Sequence, residues 1–567
     1  MPTLKIASFK NYIIYGLTLL AFGLRLHTLN IRSLWYDELL ELDIAQGPIW
    51  EINAQLVRHA AMPLDYYLLH GWLRLGRQEA WVRFPALLFG VLAIPMIYIL
   101  GRHFFGRRVG LVAAALLTLS PFAISYSQET RPYALLLFMV TVAIFGLWQA
   151  FQRHQHRYWI IAIVGLVGAV ASHYFALFLL LPVALFVGVQ QVYHLKDGRY
   201  WQHTGLFGLS LLLIFVILIP DGRLLRLYSV GDRFARESYQ LETYTAPADE
   251  KLNGGSGPPI SRGFFLEKMV MPLSTINLPV LLLFNAFFLV GLLSLLWIHP
   301  GRRPAILLLL AWLLLPPLLI YLFLLHRGTF YAIRYILYTL PAYLLLVAYG
   351  LDLLAGMIKT AIKQISGRRS NAVVPLLLLL ALLPLVSAQF DQLATFYRAG
   401  SREDWRVVGQ TLWANATPTD AIIAVRAEPA INWYYPPATA PFGTFSRSQP
   451  IWEAIRQHER RWFILSSYSF RRDKGLRDWL DQQGAVTIAI DRRVVVHFHE
   501  AGKSKEELLE QVKDFSLPQK AMTYRVLAAQ FQQEGDFETS RLFFRRAREL
   551  AQNSSRPAPV ARLPGPQ

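Results

Sequence analysis

The sequence predicts a polytopic α-helical membrane protein of about eleven spans, followed by a small soluble α/β domain and a helical hairpin. Three observations carry this reading. Of 567 residues, 54% are hydrophobic and only 16% charged, a balance that soluble domains do not need. Apolar runs close to the roughly 20 residues that cross a hydrocarbon core recur through the first 390 positions. After Gln389 the composition turns polar, and short apolar runs alternate with amphipathic ones.

Taken in order, spans are expected near 9–29, 82–101, 109–124, 132–150, 158–172, 174–192, 204–220, 272–298, 304–325, 332–357 and 373–388. The first follows Lys5 and Lys10 and is too long for a cleaved signal peptide. Alternate loops carry Arg102, Arg107 and Arg108; Arg153 and Arg157; Lys196 and Arg199; Arg302 and Arg303; then Lys359, Lys363, Arg368 and Arg369. By the positive-inside rule these loops and the N-terminus are cytoplasmic. The same bias accounts for much of the net charge of +19, so nucleic acid is not an expected partner. With no cysteine in the chain, disulfides, thiolate chemistry and cysteine-ligated metals are excluded.

The remaining loops fall on the outer face. The first, Asn30 to Trp81, opens on Trp35-Tyr36-Asp37-Glu38 just past the first span. Two adjacent carboxylates there either cap an interfacial helix or do chemistry. Asp43–Arg58 and Pro63–Leu75 read as amphipathic segments, lying in the interface or packing over the span ends. Gln128, Glu129, Arg131, His173 and Arg334 reach the same face. One such group at a span end is ordinary snorkelling; acids, bases, an amide and a histidine together imply a wet cavity.

These residues sit in recognisable blocks: the Asp37-Glu38 pair, Arg83-Phe84-Pro85 running to Gly101-Arg102-His103-Phe104-Phe105-Gly106, and Ser127-Gln128-Glu129-Thr130-Arg131-Pro132-Tyr133. Ser172-His173-Tyr174 and Arg334-Tyr335 followed by Leu340-Pro341-Ala342 complete them. Over about residues 9–390 the chain resembles the GT-C superfamily of integral-membrane glycosyltransferases. Within it, the bacterial protein O-mannosyltransferase-like and aminoarabinose-transferase-like branch is the nearest in pattern. One departure is Ala61-Met62-Pro63-Leu64, where that branch commonly has His-Pro-Pro-Leu. The resemblance implies transfer of a monosaccharide from a polyprenyl-phosphate carrier to a hydroxyl of a protein, lipid or glycan, with inversion, on the outer face of the cell membrane.

The chemistry of that reaction assigns expectations. A hydroxyl nucleophile needs a carboxylate to take its proton, and Asp37 matches the first-loop acid, with Glu38 in support. The departing lipid phosphate calls for cationic donors. Arg334 is expected to hold it, with Tyr335, Gln128, Glu129, Arg131, His173 and Tyr174 lining the substrate site. Arg131 has a structural alternative in pairing with Glu129 or Glu38, and His173 one as a hydrogen-bonded core residue. No cofactor is required; Asp37, Glu38, Glu129 and His173 would suit a divalent metal, although no spacing motif demands one.

The loop Asp221–Met271, with Asn253-Gly254-Gly255-Ser256-Gly257-Pro258-Pro259 and Arg226, Arg233, Arg236 and Lys251, either closes over substrate or merely connects. The expected division is a transferase domain at 1–390, an extracytoplasmic α/β domain at 391–500, a tetratricopeptide-like segment at 501–552 and a disordered tail at 553–567. Two other classes fit less well. A multi-span flippase should show repeats and midplane polar residues; a membrane-anchored assembly protein should tolerate loss of Asp37 and Glu38.

Overall fold

The computed structural model describes residues 12–59, 61–218, 273, 278–297, 302–327, 332–366, 373–398, 400, 403–425, 427–436, 449–466, 474–491 and 493–553. The loop 221–271 and the tail from 554 lie outside them. Each of the eleven apolar segments forms a helical rod: Tyr12–Leu26, Glu79–Phe104, Arg107–Leu119, Tyr133–Arg153, His156–Ser172, Tyr174–Tyr193, Gly198–Leu218, Leu278–Trp297, Arg303–Arg327, Ile333–Ser366 and Val373–Arg398. Among the described residues seven are long and apolar enough to cross a membrane. Tyr12–Leu26, His156–Ser172 and Pro279–Ser294 are shorter apolar helices, and Arg107–Leu119 has 13 residues.

The chain divides into two compact units, Met1–Leu29 with Ile44–Ala399, and Asn30–Asp43 with Gly400–Gln567. The sequence-based boundary at 390 does not contain this division, because it leaves residues 30–43 with the spans.

In the first unit, glycines set how closely the rods approach. A Cβ on Gly146 or Gly165 would strike the backbone of Ala162 or Ala143, and one on Gly350 would overlap the Phe287 carbonyl. Such small-residue seams let helices pack without a hydrophobic driving force between them. Two rods begin with 3₁₀ turns, Tyr174–Leu179 and Ile333–Thr339, and His173 and Arg334 stand at these starts. Arg108 lies 3.8 Å from Asp352 and Arg302 covers the Tyr349 ring at 5.7 Å. Two of the basic loops thus meet against the same stretch of Ile333–Ser366.

Hydrophobic spacing reads Asp43–Arg58 as one amphipathic segment. Gly47 and Pro48 break it, giving helices Tyr36–Gln46 and Ile49–His59, then Pro63–Trp72 with Pro63 in its first turn. Trp72, Trp81 and Phe84 stack with interplanar angles of 16° or less.

The second unit holds a four-stranded sheet of β1 (Ala421–Val425), β2 (Arg460–Ser466), β3 (Val486–Ala489) and β4 (Val494–Glu500), in the order β1-β2-β4-β3. β1 and β2 run parallel and the other pairs antiparallel. One face packs Ile451, Ile455, Leu476 and Leu480 from the flanking helices. Ser504 and Glu507 form a reciprocal capping box for Lys505–Lys513. The hairpin Ala521–Gln533 and Phe537–Asn553, turning at Gly535 with φ +86°, lies along β3. There the Gln530 side chain accepts the Thr487 N–H at 2.9 Å and donates to the Thr487 carbonyl at 2.8 Å. A glutamine thereby supplies the partner that an edge strand lacks.

Candidate active site

The first unit gathers most of the residues singled out from sequence. Pro132 and the helix start at Tyr133 turn the Ser127–Arg131 block inward, and Gln128, Glu129 and Thr130 are all buried. The Gln128 amide donates to the carbonyls of Arg25 at 2.8 Å and His27 at 2.5 Å. Ser127 Oγ accepts from the buried Arg25 Nε at 3.2 Å. Gln128 thus ties down the end of the first span, a structural task within a block expected to line the substrate site.

Beyond that tie stands a cationic and aromatic cluster. The Arg131 and Arg334 guanidinium carbons each lie 5.9 Å from the centre of the Tyr133 ring, and Arg334 is 5.6 Å from that of Tyr335. The His173 ring stacks on Tyr174 at 4.8 Å and packs against Tyr133 at 5.6 Å and Tyr335 at 5.9 Å. Its Nδ1 accepts the Phe175 N–H at 3.2 Å, so the neutral ring carries its proton on Nε2. Burial, reinforced by the positive charges of Arg131 and Arg334, pushes its pKa down to about 3. Two guanidiniums beside a neutral histidine and three tyrosines make a site suited to a polyanion.

Asp37 and Glu38 belong to the second unit, in the first turn of Tyr36–Gln46. Glu38 is fully buried, and its Oε2 accepts the Trp35 N–H at 3.2 Å. That is the return half of a capping box, with the carboxylate three positions into the helix closing its start. Asp37 is half-exposed. Around them, Glu403 Oε2 accepts the Tyr36 N–H at 3.0 Å and the Trp405 indole N–H at 2.8 Å. Its carboxyl end is enclosed; burial raises its pKa and neighbouring Asp37 adds to the rise, against the pull of these hydrogen bonds and Arg493. The Tyr434 hydroxyl accepts the Leu34 N–H at 3.1 Å, Arg406 donates to the Asn30 carbonyl at 3.0 Å and Asn432 donates to Asp43 at 3.2 Å. Sequence reasoning missed all four of these partners. Among the described residues no group of three or more histidine or acidic side chains is placed to hold a metal ion.

Residues 59–220 match the family model described as dolichyl-phosphate-mannose-protein mannosyltransferase. That segment contains Gln128, Glu129, Arg131, His173 and Tyr174, and stops short of Arg334. No curated protein sequence matches the chain. Among solved structures, ArnT from Cupriavidus metallidurans in the apo state is 13% identical, with TM-score 0.53 over 87% of this chain and 98% of that one. The same protein bound to undecaprenyl phosphate gives TM-score 0.52 at 13% identity, over 88% and 99%. An oligosaccharyltransferase of Archaeoglobus fulgidus tethered to an acceptor peptide gives 0.50 at 14% identity, over 88% and 74%. The fold is GT-C. The likeness to ArnT extends beyond the spans, since it covers most of both proteins.

Proposed function

We propose that the chain is a membrane glycosyltransferase that moves one sugar from a polyprenyl-phosphate carrier to an acceptor hydroxyl. The observation that carries this reading is the pair Arg131 and Arg334 converging on Tyr133 beside neutral His173, in a GT-C fold whose relative ArnT binds undecaprenyl phosphate. In the proposed step the acceptor oxygen attacks the anomeric carbon as the bond to the carrier phosphate breaks. Asp37 takes the hydroxyl proton. The departing phosphate keeps the bonding electrons, and its charge is met by the two guanidiniums. Attack opposite the leaving group inverts the centre, through an oxocarbenium-like transition state. Glu38 fixes the helix that presents Asp37, and Tyr335 and Tyr174 wall the phosphate site. The acceptor is a protein, lipid or glycan hydroxyl at the outer face of the plasma membrane.

The mechanism takes no step through a metal. A chelator is expected to leave transfer intact; loss reversed by Mg²⁺ or Mn²⁺ would assign Asp37, Glu38, Glu129 or His173 as ligands instead. The central experiment offers purified protein a set of polyprenyl-phosphate sugars and assays release of free polyprenyl phosphate together with the glycosylated acceptor. Lipid movement without bond cleavage would favour a flippase.

A further inference from the structure

We propose that Glu403 is a positioning residue for the proposed base, capping from the far end of the chain the helix that carries Asp37. This inference rests on the reading of Asp37 given above. The first N–H groups of a helix have no partner within it, and a carboxylate is the strongest acceptor for them. Helix Tyr36–Gln46 receives two. Glu38, from its own first turn, closes on Trp35 N–H, and Glu403 accepts the N–H of Tyr36, the residue before Asp37, at 3.0 Å. Glu403 is itself held, because Trp405 Nε1–H donates to the same oxygen at 2.8 Å and Trp405 is fully buried. The chain therefore reads Trp405, Glu403, Tyr36, Asp37 as a relay of position, with the positive charge of Arg493 favouring the Glu403 carboxylate.

Two substitutions separate reach from charge. Glu403→Gln keeps an oxygen at the same distance and removes the charge; Glu403→Asp keeps the charge and withdraws the oxygen by one methylene. Transfer is assayed on full-length protein, normalised to the fraction that binds polyprenyl phosphate, so partial misfolding does not count. Glu403→Asp is expected to lower kcat about tenfold to a hundredfold with KM for the lipid donor unchanged, as for a displaced reacting group. Glu403→Gln is expected to stay within about threefold of wild type, a barrier change of no more than about 0.65 kcal/mol. Wild-type kcat in Glu403→Asp, or equal slowing in Glu403→Gln, overturns the proposal. Asp37→Asn run alongside distinguishes the failures: an active Asp37→Asn removes the base assignment itself, whereas an inactive one beside an unaffected Glu403→Asp removes only Glu403.

Discussion

Asp37 and Glu38 are adjacent, yet their surroundings differ enough to predict different phenotypes. Asp37→Asn is nearly isosteric and removes only the capacity to take a proton, so transfer should fall by about 10²–10⁴-fold with lipid binding intact. Glu38→Gln retains an acceptor for Trp35 N–H, so its expected cost is chiefly stability, about 1 kcal/mol, read as a lower melting temperature in detergent. A dead Glu38→Gln beside an active Asp37→Asn would exchange their roles. For Arg334, lysine keeps the charge but loses the planar fork; the expected deficit in turnover is roughly 2–4 kcal/mol with weaker carrier binding, and normal kinetics in Arg334→Ala would reduce it to an anchor. At this scale the sequence was informative where chemistry is local. Carboxylates just past a span, or a histidine between two spans, stand out by position. Gln128 stands in a distinctive block, but its bonds to the carbonyls of Arg25 and His27 are invisible until that backbone is placed beside it. Glu403 carried no mark at all, since nothing near it in the chain hints at Tyr36.

The rods were legible as elements because apolar runs of span length leave few alternatives, and each of the eleven overlaps its expected segment, although the last two run on by nine and ten residues, to Ser366 and Arg398. Their seams were not. Gly350 is one glycine among 36 in the sequence, and only its meeting with the Phe287 carbonyl explains it. Gly350→Ala should therefore destabilise the purified protein by about 1–3 kcal/mol, the usual cost of overpacking, whereas Gly188→Ala, with open space around it, should be near neutral. The sheet makes a separate prediction about acid. Burial lowers the pKa of both His497 and His499 to about 4, with Arg461 adding to the effect on His499. Both are thus neutral when folded but take a proton near pH 6.5 when unfolded. Their contribution is full above about pH 6.5 and is lost as pH falls from there to about 4. The melting temperature of the second unit should drop across that window, and His497→Gln with His499→Gln should flatten the drop. An unchanged acid slope in the double variant would assign the sensitivity to other groups.

For the whole molecule loop charge predicts an orientation with the N-terminus inside, and a sequence without cysteine makes that prediction simple to test. Leu542→Cys, exposed on the hairpin, should label in intact cells; Lys363→Cys should label only after permeabilisation. The reverse pattern would invert the proposed site. The partition into units was the least legible feature. Linear domain boundaries assume that neighbours in sequence fold together, and residues 30–43 break that assumption through Tyr434, Glu403, Arg406 and Asn432.

That strap also governs when the protein becomes competent. Tyr36 and Glu403 are 367 positions apart, so the acid-bearing helix leaves the ribosome long before its cap exists. At about 5–20 residues per second the delay is roughly 20–70 seconds, during which the remaining ten rods are still being made. A nascent chain arrested just before position 403 has all eleven rods and both acids but lacks the helix's cap. Partly made molecules are on this view silent toward the lipid-linked sugars around them, and activity arrives only with the part of the polypeptide from Glu403 onward.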